Sequence, residues 1–125
     1  MPIYHKSDLT LRTFIHLDRD DDGDNRYAVG YELWDENDEL VTGVAGARNV
    51  YNAHMALEHA SSIRASEILP RPTRELLLVS YDADGTRHDT VQVDIFEHSM
   101  DEIAAIMDNM IETALVEKPR LRLVE

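Results

Sequence analysis

Residues Asn49 to Leu69, NVYNAHMALEHASSIRASEIL, form the longest periodic segment and divide the chain in two. At the rotation of about 100° per residue of an α-helix, the apolar side chains fall on one continuous face. That face consists of Val50, Ala53, Ala56, Leu57, Ala60, Ile63 and Ile68. It is rich in alanine and has no aromatic residue, so it can lie close against a flat surface. We predict an amphipathic helix here, packed on a β-sheet built from the segments on either side.

Three β-strands are predicted before this helix, because apolar and polar residues alternate there. They cover Leu9–Leu17, Arg26–Glu36 and Glu39–Ala45. Two acidic stretches connect them: DRDDDGDN at residues 18–25, and a short turn at Glu36–Asp38. Phe14 and Trp34 lie on the opposite side of their strands from the predicted core residues. We therefore expect both on the sheet face that the helices leave open.

Two further strands are predicted after the helix, which Pro70 and Pro72 should end. The strands are Glu75–Tyr81 and Thr90–Phe96. The sequence between them, beginning Asp82-Ala83-Asp84-Gly85, has the composition of a hairpin turn. The two strands should therefore pair with each other.

A second helix follows, and it has the clearest start signal in the chain. Ser99 with Glu102 three residues later predicts a capping box. The predicted buried face consists of Ile103, Ile106, Met107, Met110, Ile111 and Ala114. Pro119 should end this helix, and the LRLV that follows at residues 121–124 is compatible with a short terminal strand.

These elements predict one α+β domain over residues 1–125, in the order β-β-β-α-β-β-α with an optional final β. The sheet should be mainly antiparallel, with both helices packed on one face. A chain of 125 residues is long enough for a single core without disulfides or metal, and it contains no cysteine. No apolar run approaches the ~18 residues of a membrane span. The N-terminus lacks a hydrophobic signal core, so we expect a cytoplasmic protein.

The strongest feature of the composition is its negative charge. The chain has 25 acidic and 12 basic residues, for a formal net charge of −13. Direct binding to nucleic acid, or to an anionic membrane, requires cations and is disfavoured. Two interpretations remain: an electrostatic field that attracts a basic partner, or an adaptation to high salt, where self-repulsion is screened.

The acidic stretch after the first strand is also a candidate calcium loop. Asp18, Asp20, Asp22, Gly23 and Asp24 match the opening of a calcium loop, with the pattern D-x-D-x-D-G. The twelfth position, where an EF-hand has its bidentate acid, is Val29, and the preceding segment is a predicted strand rather than a helix. A solvated acidic turn explains the same residues and is the interpretation we favour.

Ribonuclease H-like chemistry is another alternative, because three strands precede a helix. Asp18, Glu58 and Asp82 would have to converge on metal ions, but Glu58 is predicted on the helix face turned away from the sheet. The same helix carries His54 four residues before Glu58, a usable spacing for two metal ligands. A polar, exposed helix face accounts for these residues equally well.

The function that the sequence favours is a small acidic, non-catalytic binding protein that docks on a positively charged protein surface. One version is a nucleic-acid mimic that inhibits a nucleic-acid-binding protein. The alternatives are a salt-adapted soluble domain of unknown role and a metal-dependent domain, calcium-binding or ribonuclease H-like. The predicted partner-binding residues are Asp20, Asp21, Asp22, Asp24, Trp34, Asp35, Glu36, Asp38 and Glu39. No catalytic residue, metal ligand or cofactor is predicted, and a homodimer remains an alternative.

Overall fold

The computed structural model describes residues 9–65 and 71–122. Within them the chain forms five strands and two helices in the predicted order. The elements are β1 (Thr10–Arg19), β2 (Asn25–Trp34), β3 (Leu40–Val50), α1 (Ala53–Ala65), β4 (Arg71–Tyr81), β5 (Arg87–Asp94) and α2 (Met100–Arg122). In the part of the chain that the structure describes, no helix is long and apolar enough to cross a bilayer.

The five strands form one sheet in the order β3-β2-β1-β4-β5. The hairpin partners β1–β2, β2–β3 and β4–β5 are antiparallel, whereas β1 and β4 are parallel. They are parallel because α1 carries the chain across the sheet between β3 and β4. The prediction of a mainly antiparallel sheet is confirmed, and the parallel central pair is a feature that the sequence did not reveal. As a consequence, the turns that follow β1 and β4 lie at the same end of the sheet.

Both helices pack on the same face of the sheet, as predicted. Side chains from α1, such as Leu57, and from α2, such as Met107, share one apolar cluster with Ile15 and Leu78 of the sheet. Ile15, Leu78 and Met107 have no exposed surface. The Tyr27 hydroxyl reaches out of this cluster and donates to Asp108 Oδ1 on α2 at 2.5 Å. The opposite face of the sheet, here called the open face, carries the alternate residues of each strand.

The first helix begins later than predicted. Asn49 and Val50 belong to β3, where they pair with Ala28 and Tyr27 of β2. Asn52 then caps the helix, because its side-chain oxygen accepts from the backbone N–H of Met55 at 3.1 Å. Asn49 and Val50 therefore pair as part of a strand, although the helical periodicity placed them in the helix. The end of the predicted helix, residues 66–69 with Ile68, lies outside the described residues.

The second helix confirms its predicted start and contradicts its predicted end. Glu102 N–H donates to Ser99 Oγ at 3.1 Å, and Ser99 N–H donates to Glu102 Oε1 at 2.9 Å, which completes the capping box. The helix continues past Pro119 to Arg122, so the optional strand at residues 121–124 is wrong for its first two residues. Proline removes one hydrogen bond and favours a kink, but it does not have to end a helix.

The boundaries of the strands also differ from the predictions, most of all in the last three strands. β3 runs to Val50 rather than Ala45, and β4 begins at Arg71 rather than Glu75. β5 covers Arg87–Asp94 instead of Thr90–Phe96, and Phe96 is 72% exposed. The last strand ends early because Asp94 Oδ1 accepts from the backbone N–H of Phe96 at 2.8 Å, which turns the chain toward α2.

Candidate functional site

The three hairpin turns of the sheet share one construction. Each begins with an aspartate whose Oδ1 accepts from the backbone N–H groups two and four residues later, at 2.9–3.0 Å. The three aspartates are Asp20, Asp35 and Asp82. The residue three positions after each of them has a positive φ: 87° at Gly23, 61° at Asp38 and 80° at Gly85. The first aspartate of each turn therefore holds the backbone, and the acids that follow it are exposed.

Among the first aspartates of the three turns, Asp35 is only 9% exposed, and its substitution should reduce stability the most. Replacing Asp35 with alanine leaves the backbone N–H groups of Asn37 and Glu39 without their acceptor. We expect Asp35→Ala to lower the free energy of unfolding by about 2 kcal/mol. Urea denaturation should measure this loss. Asp35→Asn keeps the acceptor oxygen and should lose less than half as much, while Glu36→Ala should change stability by less than ~0.5 kcal/mol. Equal effects of all three substitutions would contradict this role.

One end of the sheet brings two of these turns together. Because β1 and β4 are parallel neighbours, the turn at residues 20–24 lies beside the turn at residues 82–86, and we call these two turns the paired-turn end. A groove of about 470 Å³ runs between them. It is lined by Asp18, Arg19, Asp20, Asp21, Arg26, Asp82, Ala83, Asp84, Gly85 and Leu115. Five aspartates and two arginines line this groove, so its formal charge is negative.

The two arginines of the groove already have acidic partners. Arg26 donates through Nε and Nη2 to the two carboxylate oxygens of Asp18, at 2.9 and 2.8 Å. Arg19 Nη2 contacts Glu112 Oε2 of α2 at 2.8 Å. These ion pairs tie the end of β1 to β2 and to α2. The exposed Asp21, Asp22 and Asp24 of the first turn are therefore not neutralised by these arginines.

Asp82 and Asp84 were not among the predicted partner-binding residues. Their turn was recognised from the sequence, but its position beside residues 20–24 depends on the parallel pairing of β1 with β4. The repeated pattern of an aspartate, a second Asp or Asn two residues later, and then Gly or Asp was the available signal for three equivalent turns.

The second predicted acidic run lies at the opposite end of β2, in the turn at residues 35–39. Glu36, Asp38 and Glu39 are exposed there. Trp34 directly precedes this turn, and we call residues 34–39 the Trp34 end. The ten residues of β2 separate the two acidic runs by roughly 30 Å, at the usual rise per residue of a strand.

Trp34 lies on the open face, as expected from its phase in the strand. The Arg12 guanidinium stands over its ring at 4.8 Å from the centroid. Its Nε1 donates to Glu32 Oε1 at 3.2 Å. The indole is therefore half-buried, between a cation on one side and the acidic turn on the other.

A group of rings occupies the middle of the open face. The His16 ring lies 5.0 Å from the Phe14 ring and is stacked at 5.2 Å on Tyr81. Tyr81 Oη and His16 Nδ1 are 2.7 Å apart. Burial lowers the pKa of His16 below its ordinary value, and the nearby positive charge of Arg87 lowers it further. At neutral pH the imidazole is thus uncharged, and it shares a hydrogen bond with the Tyr81 hydroxyl through Nδ1.

This histidine should make stability depend on pH. The unfolded chain takes up the proton more readily than the folded protein, so stability falls as the pH drops below about 6.5 and recovers above it. We expect His16→Gln to lose less stability between pH 7 and pH 5 than the unsubstituted protein, in thermal melts. Asp94 and Glu102 have lowered pKa values, mainly through backbone hydrogen bonds, and their contributions disappear only at more acidic pH. Identical pH profiles for the two proteins would contradict the assignment.

The residues of the metal-dependent alternatives are distributed over different places. Asp18 and Asp82 line the paired-turn groove, whereas exposed Glu58 lies in a separate depression with His59 and Val50. His54 Nε2 contacts Asp101 Oδ1 of α2 at 2.7 Å. Among residues 9–65 and 71–122, no three His, Asp or Glu side chains are arranged to hold a metal ion.

Comparisons of the chain with protein-family models, with curated proteins and with solved structures found no match.

Proposed function

We propose that this protein is a non-catalytic binding module that docks on a positively charged protein surface. The observation that supports it best is the paired-turn end, where two neighbouring turns together carry Asp20, Asp21, Asp22, Asp24, Asp82 and Asp84. Six aspartates in two adjoining turns concentrate the negative field locally, which scattered solubilising charges would not. The Trp34 end adds the second acidic turn and an aromatic side chain.

Each part of this site has its own role in the proposed complex. The exposed acids of the turns attract the Lys and Arg side chains of the partner and raise the association rate. Asp20, Asp35 and Asp82 hold the turns in shape and take less part in binding, since each already accepts two backbone hydrogen bonds. Trp34 supplies the apolar contact that holds the partner once it has arrived.

The narrower version of this proposal is a nucleic-acid mimic. The roughly 30 Å along β2 between the two acidic runs is close to one turn of B-DNA, the spacing at which dimeric DNA-binding proteins place their two contacts. In that case the partner is a nucleic-acid-binding protein, and duplex DNA should compete with this chain for it. A basic partner that duplex DNA does not displace would leave the general proposal standing and exclude the mimic.

A charge-matched capture experiment tests the proposal. The bait is the immobilised full chain, compared with Asp21→Asn/Asp22→Asn/Asp84→Asn and with Glu58→Gln/Glu97→Gln/Asp101→Asn. Each triple variant removes three acids from a chain of net charge −13, so the two variants have the same net charge and lose it in different places. We expect a basic protein to bind the unsubstituted chain and the second variant at about 50 mM salt, and to bind the first variant several-fold less.

Two outcomes would contradict the proposal. Equal loss of the partner with both variants would mean that net charge matters and the paired-turn end does not. A partner retained equally at low and molar salt would mean that the acids do not drive binding. In either case salt adaptation would explain the acidity instead. That alternative predicts a melting temperature that rises steeply toward molar salt.

A further inference from the structure

The open face of the sheet carries two inner rows of uncharged side chains. Each row crosses the strands in the order β2, β1, β4, β5, at positions fixed by the strand register. The first inner row is Gly30, Phe14, Leu77 and Gln92. The second is Ala28, His16, Val79 and Thr90. Both helices lie on the other side of the sheet, so these rows are not part of the core cluster that the helices cover. Phe14 and Val79 are nevertheless nearly buried, at 6% and 7% exposed, so the surface of the rows comes mainly from Leu77, His16, Gln92 and Thr90.

One outer row flanks them on each side. On each strand, the charge in one outer row is opposite to the charge in the other, except on β4, where one of the two residues is neutral. On the side of the Trp34 end, the row is Glu32, Arg12, Glu75 and Asp94. On the side of the paired-turn end, the row is Arg26, Asp18, Tyr81 and Arg87. Read across the same strands, the first row is negative, positive, negative, negative, and the second is positive, negative, neutral, positive. No position in one row has the sign of its counterpart in the other.

This inversion means that the face is complementary to itself in one orientation. A two-fold axis that crosses the strands between the inner rows lays each strand over the same strand of a second copy. Arg12 then faces Asp18 of the second copy, and Glu32 faces Arg26 of the second copy. On β5, Asp94 faces Arg87 of the second copy. The other in-plane axis, along the strands, would instead set Glu32 against Asp94 and Arg26 against Arg87, which are repulsive pairs.

We infer that the open face binds a second copy of this chain, related by a two-fold axis that crosses the strands between the rows of Phe14 and His16. The two sheets pack face to face about 10 Å apart with their strands within about 30° of alignment. The exposed side chains of the inner rows, above all Leu77, Gln92 and Thr90, form the centre of this isologous contact, and the charged rows fix its register. The dent of about 270 Å³ lined by Arg12, Leu77 and Gln92 lies where Tyr81 of the second copy arrives.

The acidic turns oppose this contact, and they give it a characteristic salt dependence. The axis sets the paired-turn end of one copy beside the Trp34 end of the other, and each copy carries a net charge of −13. Salt screens this repulsion, so dimerisation should strengthen between about 20 mM and 300 mM salt. Binding to a basic partner weakens over the same range. The two proposals therefore fail independently of each other.

Charge swaps across the axis test the inference in the full chain. Arg12→Glu creates two like-charged pairs in the homodimer, because the introduced carboxylate of each copy faces Asp18 of the other. Asp18→Arg also creates two like-charged pairs, because the introduced guanidinium of each copy faces Arg12 of the other copy. By sedimentation velocity at about 300 mM salt, each variant alone should dimerise at least about tenfold more weakly than the unsubstituted chain. An equimolar mixture should recover the dimer, because the heterodimer has one native contact and one reversed but attractive contact.

Asp18→Arg also breaks the ion pair with Arg26 in its own copy, so its melting temperature is measured in parallel. Arg87→Glu leaves that ion pair intact, sets two acids together across the axis, and should weaken the dimer in the same way. The inference is overturned if the unsubstituted chain stays monomeric from ~1 µM to ~1 mM. It is also overturned if a dimer forms that Arg12→Glu and Arg87→Glu do not weaken, because another surface would then hold it.

Discussion

Replacing Asp22 and Asp84 with lysine should slow association with the basic partner by at least about tenfold at low salt. These residues occupy equivalent positions in the two turns of the paired-turn end, and both are exposed. The double substitution reduces the formal charge of the six aspartates in these two turns from −6 to −2 without touching Asp20 or Asp82, which hold the turns. The partner's dissociation rate should change much less, since the exposed acids act before contact. Stopped-flow or surface-plasmon measurements at several salt concentrations give both rates.

The matched control is Glu58→Lys with Glu97→Lys, which changes the net charge by the same amount. Both residues are exposed and lie outside the three hairpin turns. Association of the control should stay within about threefold of the unsubstituted protein, and its salt dependence should stay steep. If both double variants slow association equally, the field of the whole molecule matters and the position of the turns does not.

The fold was largely predictable, because its elements have strong local patterns. The apolar stripe from Ala53 to Ala60, the alternation in β1 and β2, and the capping box at Ser99 each specify an element by themselves. Strand ends were less predictable, since Asn49 and Val50 fit either a helix or a strand, and pairing with β2 decides between them. The parallel β1–β4 pair depends on how α1 crosses the sheet, which no local pattern contains.

The candidate site was predictable in part. The exposed turn acids and the phase of Trp34 follow from composition and alternation. Two properties could be seen only in the structure. One is that Asp82 and Asp84 lie beside the turn at residues 20–24, and the other is that the carboxylates of Asp20 and Asp35 accept backbone hydrogen bonds. A sequence shows that an aspartate is present, but only the turn geometry shows whether its carboxylate is engaged with the chain or directed to a partner.

Truncating Trp34 to alanine should mainly accelerate dissociation of the basic partner. Trp34 is the only tryptophan in the chain, and it directly precedes the turn at residues 35–39 with its exposed acids. Apolar burial is gained after docking, so its loss appears in the dissociation rate rather than in the association rate. We expect a cost of about 2 kcal/mol in binding free energy, or roughly a 30-fold faster dissociation.

Two variants separate this anchoring role from a general effect of the neighbourhood. Trp34→Phe keeps a ring beneath the Arg12 guanidinium but removes the donor to Glu32, so it should lose only part of the affinity. Leu40 pairs with Trp34 across β2 and β3 and is 53% exposed, which makes Leu40→Ala a truncation of exposed apolar surface at the same place. Leu40→Ala should change dissociation by less than about threefold. If it accelerates dissociation as much as Trp34→Ala does, the anchor is the apolar surface around the turn and not the indole.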